Sequence, residues 1–301
     1  MAVYSANGNQ LSSVYDSNGN KLSAAYNSSG VKIYSAVEEP KADYSQYAST
    51  VYSTIPCVQG FAIFGGYLFA ATGDGKCKII DTANSTLLQT VNITTGHGNS
   101  VSFSNEYLNS GDEFPLMYVS KDQGDPCDVY VYHVTRVGNE FSIELIRTLR
   151  WQLSQVGYFA NASVDSENGI VYMYGYSQNN WQSDSGGNVM ILTAWNLSQL
   201  TENGDDTFTP AFVKQIITNH FVYAHFGQTF HDGKVWSGTP DVGYADPRAF
   251  SIDTTTGNIV DTIHLPTNGE AEGICFLDYL NAVVGYYGES FYKLTFEEAS
   301  P

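Results

Sequence analysis

The chain has 301 residues, enough for one large domain with a full core or for two small domains. Its 31 acidic and 13 basic residues give a formal net charge of −18, so long-range repulsion excludes a nucleic-acid backbone or an anionic membrane surface as a partner. No apolar run is long enough to cross a membrane, and the residues after Met1 are small and polar, so the sequence predicts neither membrane insertion nor an export signal.

The composition favours β-structure with many turns. Aromatic residues make up 14% of the chain, with 22 tyrosines, and there are 28 glycines. The four cysteines are widely spaced and form no Cys-x-x-Cys pair, which disfavours a zinc site. We therefore expect them to be reduced core thiols of a chain made in a cytoplasm.

Residues 1–35 contain three repeats of 11 residues, each reading Tyr-x-x-x-Gly-x-x-aliphatic and beginning at Tyr4, Tyr15 or Tyr26. Asn-Gly or Ser-Gly pairs between short apolar segments predict a strand-turn-strand unit in each repeat. So small a unit cannot bury its own apolar face, which predicts a role in attachment or oligomerisation. The alternative is a flexible low-complexity leader.

A longer repeat begins near residue 55 and returns five times. Its most regular element is an aromatic and β-branched strand, predicted at residues 67–69, 116–119, 170–174, 234–236 and 281–284. The residue that enters the first strand of each unit is an amide or a carboxylate: Gln59, Asn99, Asn161, Gln228 and Glu272. Four-stranded repeats of about this length are typical of propeller blades. The prediction is an all-β protein in which residues 55–301 form a five-bladed β-propeller.

The last unit has room for only three strands before the chain ends at Pro301. Residues 36–54 are therefore predicted to be a linker followed by a ring-closing strand at 44–53. This strand would complete the last blade and remove an exposed sheet edge.

In this blade order, the entry loops and the loops between second and third strands share one face. Binding residues concentrate in loops on a rigid scaffold. The candidates on this face are Tyr158, Asn179, Asn180, Trp181, His225, Asp241 and Tyr244. The loop at 175–188 offers an aromatic platform among amides and hydroxyls, the chemistry that stacks on a sugar and bonds its hydroxyls. The alternative is a solvated polar loop.

The five entry residues are predicted to ring the central channel and tie the blades together through hydrogen bonds and water. His97 and Glu270 lie two positions before Asn99 and Glu272 and could form an acid-base pair or hold a divalent cation, the one cofactor that the sequence leaves open. A propeller glycosidase would use Glu270, Glu272 or Asp241, but no catalytic motif selects them. Nothing in the sequence indicates an enzyme.

Four short segments carry a resemblance to a known family: residues 59–63, 66–69, 96–100 and 270–274. In this order they resemble the five-bladed receptor-binding propellers of Gram-positive phage tail proteins and the related teichoic-acid biosynthesis protein C. The leader repeats separately resemble leaders of phage-encoded and Firmicute surface proteins.

The resemblance implies a virion tail or tail-fibre protein that binds a host surface glycan or protein receptor. It also implies attachment to other tail proteins through residues 1–35. A homotrimer is favoured, because tail fibres commonly use one and a period of 11 can wind around a threefold axis. Wall teichoic acid is anionic and fits poorly with a net charge of −18, so a neutral glycan or a protein is the better receptor. The alternatives are a glycan hydrolase and a host-encoded lectin or adhesin.

Overall fold

The computed structural model describes residues 24–26, 32–35, 41–57, 59–121, 127–151, 153–202, 213–239 and 246–299. The chain divides into two compact units, residues 1–41 and 42–301. In the first unit, strands β1 (Ala24–Tyr26) and β2 (Lys32–Ser35) form an antiparallel pair. Residues 1–23, which comprise the first repeat and most of the second, lie outside the described residues, as does the predicted turn of the third repeat.

The second unit is built from five antiparallel sheets of four strands each, which confirms the predicted fold class. Blade 1 comprises β4 (Phe61–Phe64), β5 (Tyr67–Thr72), β6 (Lys76–Asp81) and β7 (Thr86–Asn92). Blade 2 comprises β8 (Ser100–Phe103), β9 (Met117–Ser120), β10 (Cys127–Val137) and β11 (Glu140–Trp151). Blade 3 comprises β12 (Tyr158–Asp165), β13 (Ile170–Tyr176), β14 (Met190–Asn196) and β15 (Lys214–Ile217).

Blade 4 comprises β16 (Phe226–His231), β17 (Lys234–Thr239), β18 (Arg248–Asp253) and β19 (Ile259–His264). Blade 5 comprises β20 (Ala271–Asp278), β21 (Asn281–Tyr286) and β22 (Phe291–Glu298), with β3 (Ala42–Ser53) as its outer strand. Two short helices, α1 (Leu153–Val156) and α2 (Leu197–Glu202), flank blade 3. No helix in the described ranges is long and apolar enough to span a membrane.

The ring is closed by strand pairing between the two ends of the propeller. β3 is antiparallel to β22, with Ser53 opposite Phe291 and Ala42 opposite Glu298. The strand begins two residues before the segment predicted from sequence. The Tyr44 ring packs edge-on against Trp236 of blade 4, with ring centroids 4.8 Å apart, and against Phe296 of blade 5, at 5.0 Å. The first strand of the unit thus joins its last two blades.

Hydrophobic packing occurs mainly between neighbouring blades. The described residues contain five buried clusters, and each combines side chains from two adjacent blades. Between blades 2 and 3, for example, Trp151 and Trp195 are both fully buried with ring centroids 5.3 Å apart. The four cysteines are buried and form no disulfide. Apolar side chains on both faces of each sheet are therefore satisfied only in the complete ring.

The innermost strands touch one another around the axis. β4, β8, β12, β16 and β20 contact each other in ring order, and β8 also contacts β16 across the centre. Ser100 Oγ accordingly lies near two backbone carbonyl oxygens. It donates to that of Ala162 in blade 3 and lies 3.3 Å from that of Gln228 in blade 4. A Cβ atom added at Gly227 would lie 1.8 Å from the Glu272 carbonyl oxygen. The channel is therefore narrowed by direct contact between backbones.

Candidate functional site

A cavity of about 140 Å³ opens on the face that carries the entry loops. We call it the mouth cavity, and its lining residues are His97, Asn99, Phe159, Tyr176, Trp181, Ala224, His225, Phe226 and Glu270. They come from blades 2, 3, 4 and 5. β8 begins directly after the lining residue Asn99 and contacts β16, which begins at the lining residue Phe226, so a ligand would enter from the loop face.

Five of the lining residues were singled out from the sequence: His97, Asn99, Trp181, His225 and Glu270. Sequence reasoning missed the other four, Phe159, Tyr176, Ala224 and Phe226. Phe159 and Phe226 stand at the starts of β12 and β16, beside the predicted residues Tyr158 and His225, and Tyr176 ends β13 within the predicted loop at 175–188. Strand ends on this face are the signal that could have identified them.

Backbone strain is concentrated at this cavity. The described residues include four non-glycine residues with positive φ. Ser85 and Asp232 lie in tight turns, where such a conformation is common. The other two, Phe159 (φ +53) and Ala224 (φ +36), both line the mouth cavity. Strained conformations persist where the surrounding structure enforces them, often at ligand sites.

His225 is buried at 3% exposure, and its tautomer is fixed by a neighbour. Gln228 Nε2 lies 3.3 Å from the Tyr174 carbonyl oxygen and 3.2 Å from His225 Nδ1. Because the carbonyl oxygen can only accept a hydrogen bond, the side of the Gln228 amide that faces both atoms is its nitrogen, which donates. Nδ1 therefore accepts, and Nε2 carries the proton. Nε2 has no hydrogen-bond partner among the described residues. The ring lines the mouth cavity, and its Nε2–H is a neutral, buried donor that no described residue satisfies.

Burial lowers the pKa of His225 to about 3. The unfolded chain takes up this proton below about pH 6.5, whereas the folded chain does not. Stability contributed by the neutral ring is therefore complete above about pH 6.5 and is lost as the pH falls towards 3.

We expect the His225→Gln variant to show a weaker pH dependence of stability. Each such histidine makes the free energy of unfolding fall by about 1.4 kcal/mol per pH unit below its unfolded-state pKa. Between about pH 6 and pH 4, the unfolding free energy of the variant, measured by urea unfolding, should therefore fall less steeply with decreasing pH, by the contribution of one histidine. Burial also lowers the pKa of His231, to about 4, so the pH dependence of stability that His231 contributes remains in the variant. Equal slopes in the variant and the parent would contradict this assignment.

Glu270 is half-buried, and desolvation raises the pKa of its carboxyl group. Its side chain makes no hydrogen bond or ion pair with any described residue. His97 lies at the exposed rim, where desolvation by the cavity wall lowers the pKa of its imidazole. No lysine or arginine is among the described residues that line the mouth cavity. At neutral pH these described residues therefore carry one carboxylate and no positive charge.

Trp181 is held in place by its loop and by blade 4. Its ring packs edge-on against Tyr223 with centroids 5.8 Å apart, and its carbonyl accepts from Ala224 N at 3.3 Å. The loop is organised by the buried Asn188, whose Oδ1 accepts from Gln178 N at 3.0 Å and whose Nδ2 donates to the Ser183 carbonyl at 3.1 Å. The aromatic platform is thus ordered before a ligand arrives.

Three other predicted binding residues, Tyr158, Asn179 and Asn180, are described and do not line the mouth cavity. Asn180 Oδ1 accepts from Gln182 N at 3.1 Å, a bond within the loop, and Asn179 is exposed beside it. Tyr158 is half-buried at the start of β12 but is not among the lining residues. Asp241 and Tyr244 lie outside the described residues.

The five predicted channel residues are all buried, at 0% to 3% exposure: Gln59, Asn99, Asn161, Gln228 and Glu272. The side-chain oxygens of the four amides have no hydrogen-bond partner in the described parts of the chain. Buried amide oxygens of this kind are ordinarily satisfied by ordered water. Within the same described parts, no three His, Cys, Asp or Glu side chains come together to hold a metal ion.

A wider hollow of about 350 Å³ lies on the outer strands of blade 2. Its buried carboxylate, Asp128, is already paired: Oδ1 lies 2.8 Å from Arg150 Nε, and Oδ2 lies 3.4 Å from Lys121 Nζ. The charges of this hollow are satisfied within the protein. The mouth cavity is the better candidate for a ligand site, because it combines aromatic walls with polar groups that lack partners.

Comparison with known proteins supports the class of fold. No family model and no curated protein sequence matches the chain. Among solved structures, the crystal structure of Myxococcus xanthus glutaminyl cyclase is similar at a TM-score of 0.53 and 15% sequence identity, covering 87% of this chain and 100% of that one. At this identity the likeness concerns the fold alone.

The protein is therefore a five-bladed β-propeller with a small cavity at the mouth of its channel. No family match supports the resemblance to phage tail proteins or to teichoic-acid biosynthesis protein C.

Proposed function

We propose that this protein is a receptor-binding propeller, and that the mouth cavity holds one sugar residue of a surface glycan. The observation that carries the proposal is the combination of an ordered aromatic platform, Trp181, with a donor at His225 Nε2 and an acceptor at Glu270, neither bonded to a described residue. Sugars need this combination, because their C–H faces stack on aromatic rings and their hydroxyls both donate and accept.

The proposed setting is a phage tail or tail fibre. The 11-residue repeats at 1–35 would attach the propeller to other tail proteins, as the resemblance of the leader implies, and a homotrimer is the proposed assembly. A host-encoded lectin or adhesin would use the same cavity in the same way. Flanking capsid, portal or tail genes would favour the phage setting over the host one.

A hydrolase is the second candidate, and Glu270 is the observation that favours it. Desolvation raises the pKa of this carboxyl, as a general acid requires. Glycosidases ordinarily need two carboxylates, one on either side of the scissile bond, and Glu270 is the only carboxylate among the lining residues that the structure describes. Release of reducing ends from wall glycan would establish the hydrolase, whereas binding without release supports a receptor-binding protein.

The binding proposal is tested with Trp181→Ala. We expect the variant to bind wall polysaccharide fragments of a Gram-positive host at least about tenfold more weakly, because truncating a central aromatic contact costs about 2 kcal/mol. The matched control is Tyr107→Ala, which removes a 49% exposed ring from the loop between β8 and β9 on the opposite face. Equal affinity of both variants and the parent would overturn the proposal.

A further inference from the structure

The charge balance of the mouth cavity identifies the kind of sugar that it fits. Glu270 is half-buried in the cavity wall, bonded to no described side chain, and partly deprived of water. A buried charge without a partner costs free energy, which the protein recovers when a ligand brings the opposite charge. A neutral hydroxyl would give Glu270 a hydrogen bond but no charge partner.

The remaining lining residues favour a cation. Four of them are aromatic: Phe159, Tyr176, Trp181 and Phe226. Aromatic faces attract ammonium groups, most strongly where water is excluded. The pKa values of His97 and His225 are both lowered by desolvation, so neither ring is positively charged at neutral pH. Among the described lining residues, a cation would therefore meet one carboxylate and several aromatic rings, and no group that repels it.

The donor at His225 Nε2 adds a second requirement. Because Gln228 fixes the tautomer, this atom always donates, and an acceptor oxygen on a bound ligand would satisfy it. A simple quaternary ammonium ion would leave the donor unsatisfied. A volume of about 140 Å³ also limits the bound group to roughly one sugar ring. An amino sugar satisfies both conditions, since its hydroxyl oxygens lie beside its amine.

We infer that the sugar bound in the mouth cavity carries a free, protonated amine, which pairs with Glu270, while its ring packs on Trp181 and a hydroxyl oxygen accepts from His225. This inference rests on the proposed glycan-binding function. It assigns Glu270 the role of distinguishing a free amino sugar from its N-acetylated form, which has no charge, and from anionic sugars.

The test compares two oligosaccharides of equal length, one of glucosamine and one of N-acetylglucosamine, in calorimetric titrations of the full chain at about pH 6, where the amine is charged. We expect the parent protein to bind the glucosamine oligomer at least about tenfold more tightly, as an ion pair in a partly desolvated site allows. In Glu270→Gln the preference should fall to about onefold. Glu140→Gln, a change of the same charge at the exposed start of β11, should retain it.

The pH dependence gives a readout that a structural role for Glu270 would not produce. Affinity for the glucosamine oligomer should rise as Glu270 ionises and fall as the amine loses its proton, near about pH 8. Glu270→Gln should abolish the rise at low pH. Among the described residues, the other titratable groups around Glu270 are unchanged in this variant: His97, His225 and Tyr176 in the cavity, Glu272 on β20, and Tyr286, Tyr287 and Glu289 beside residues 269–270.

The outcomes separate the inference from the proposed function. If both oligomers bind with equal affinity and Trp181→Ala weakens both, the cavity binds glycans but the amine preference is wrong. Tighter binding of the acetylated oligomer overturns the inference in the same way. If neither oligomer binds and Trp181→Ala leaves the binding of wall polysaccharide unchanged, both the inference and the proposed function fail.

Discussion

A chain that begins at Pro56 should fail to form a stable propeller. It lacks β3, the strand that pairs with β22 from Phe291 to Glu298 and completes blade 5. Its loss would open the edge of β22 and remove Tyr44 from its contacts with Trp236 and Phe296. An open edge beside exposed aromatic core is an aggregation site. We expect an insoluble product, or a soluble one without a cooperative unfolding transition by circular dichroism.

The matched control is a chain that begins at Pro40, which keeps β3 and removes the leader. We expect it to unfold cooperatively at the same midpoint as the full chain, because unit 2 begins at Ala42. A chain from Pro56 that unfolds as cooperatively and at the same temperature would show that β3 does not close the ring.

The substitution Gly227→Ala should destabilise the propeller more than a methyl group added at any other described glycine. The new Cβ would lie 1.8 Å from the Glu272 carbonyl oxygen and 2.5 Å from Gly273 Cα, where the inner strands of blades 4 and 5 meet. Gly227 also has φ +42, a conformation that a side chain disfavours. Since the clash is with backbone, relief requires moving a blade, and we expect a loss of more than about 3 kcal/mol of unfolding free energy.

Gly233→Ala separates the two causes. Gly233 has φ +72, but nothing lies within 4 Å of its added Cβ, so this variant carries the conformational cost without the clash. Its expected loss is about 1 kcal/mol in urea unfolding. If Gly227→Ala and Gly233→Ala lowered the unfolding free energy equally, β16 and β20 would not be in backbone contact at Gly227.

The strands were predictable because they depend on local chemistry. Aromatic and β-branched residues at 67–69 and 170–174 mark second strands that the structure places in β5 and β13. The closing strand could be inferred because the last repeat lacked a partner for its third strand. Internal repeats and a missing outer strand can both be recognised in a single sequence.

The mouth cavity was only partly predictable, because its residues acquire their roles through distant contacts. Asn180 and Asn188 have the same chemistry in the same loop, but the buried Asn188 organises the loop while Asn180 bonds Gln182 within it. The left-handed backbone of Phe159 and Ala224 has no signal in residue type, since glycine is the residue expected there. The tautomer of His225 depends on Gln228 and on a carbonyl of another blade.

A crystal structure of the full chain soaked with the glucosamine oligomer tests the central claim most directly. We predict one sugar ring in the mouth cavity, packed on Trp181, with its amine within hydrogen-bond distance of the Glu270 carboxylate and a hydroxyl oxygen facing His225 Nε2. A sugar bound only on the opposite face, or on the outer strands of blade 2 beside Arg150, with the mouth cavity unchanged, would contradict it.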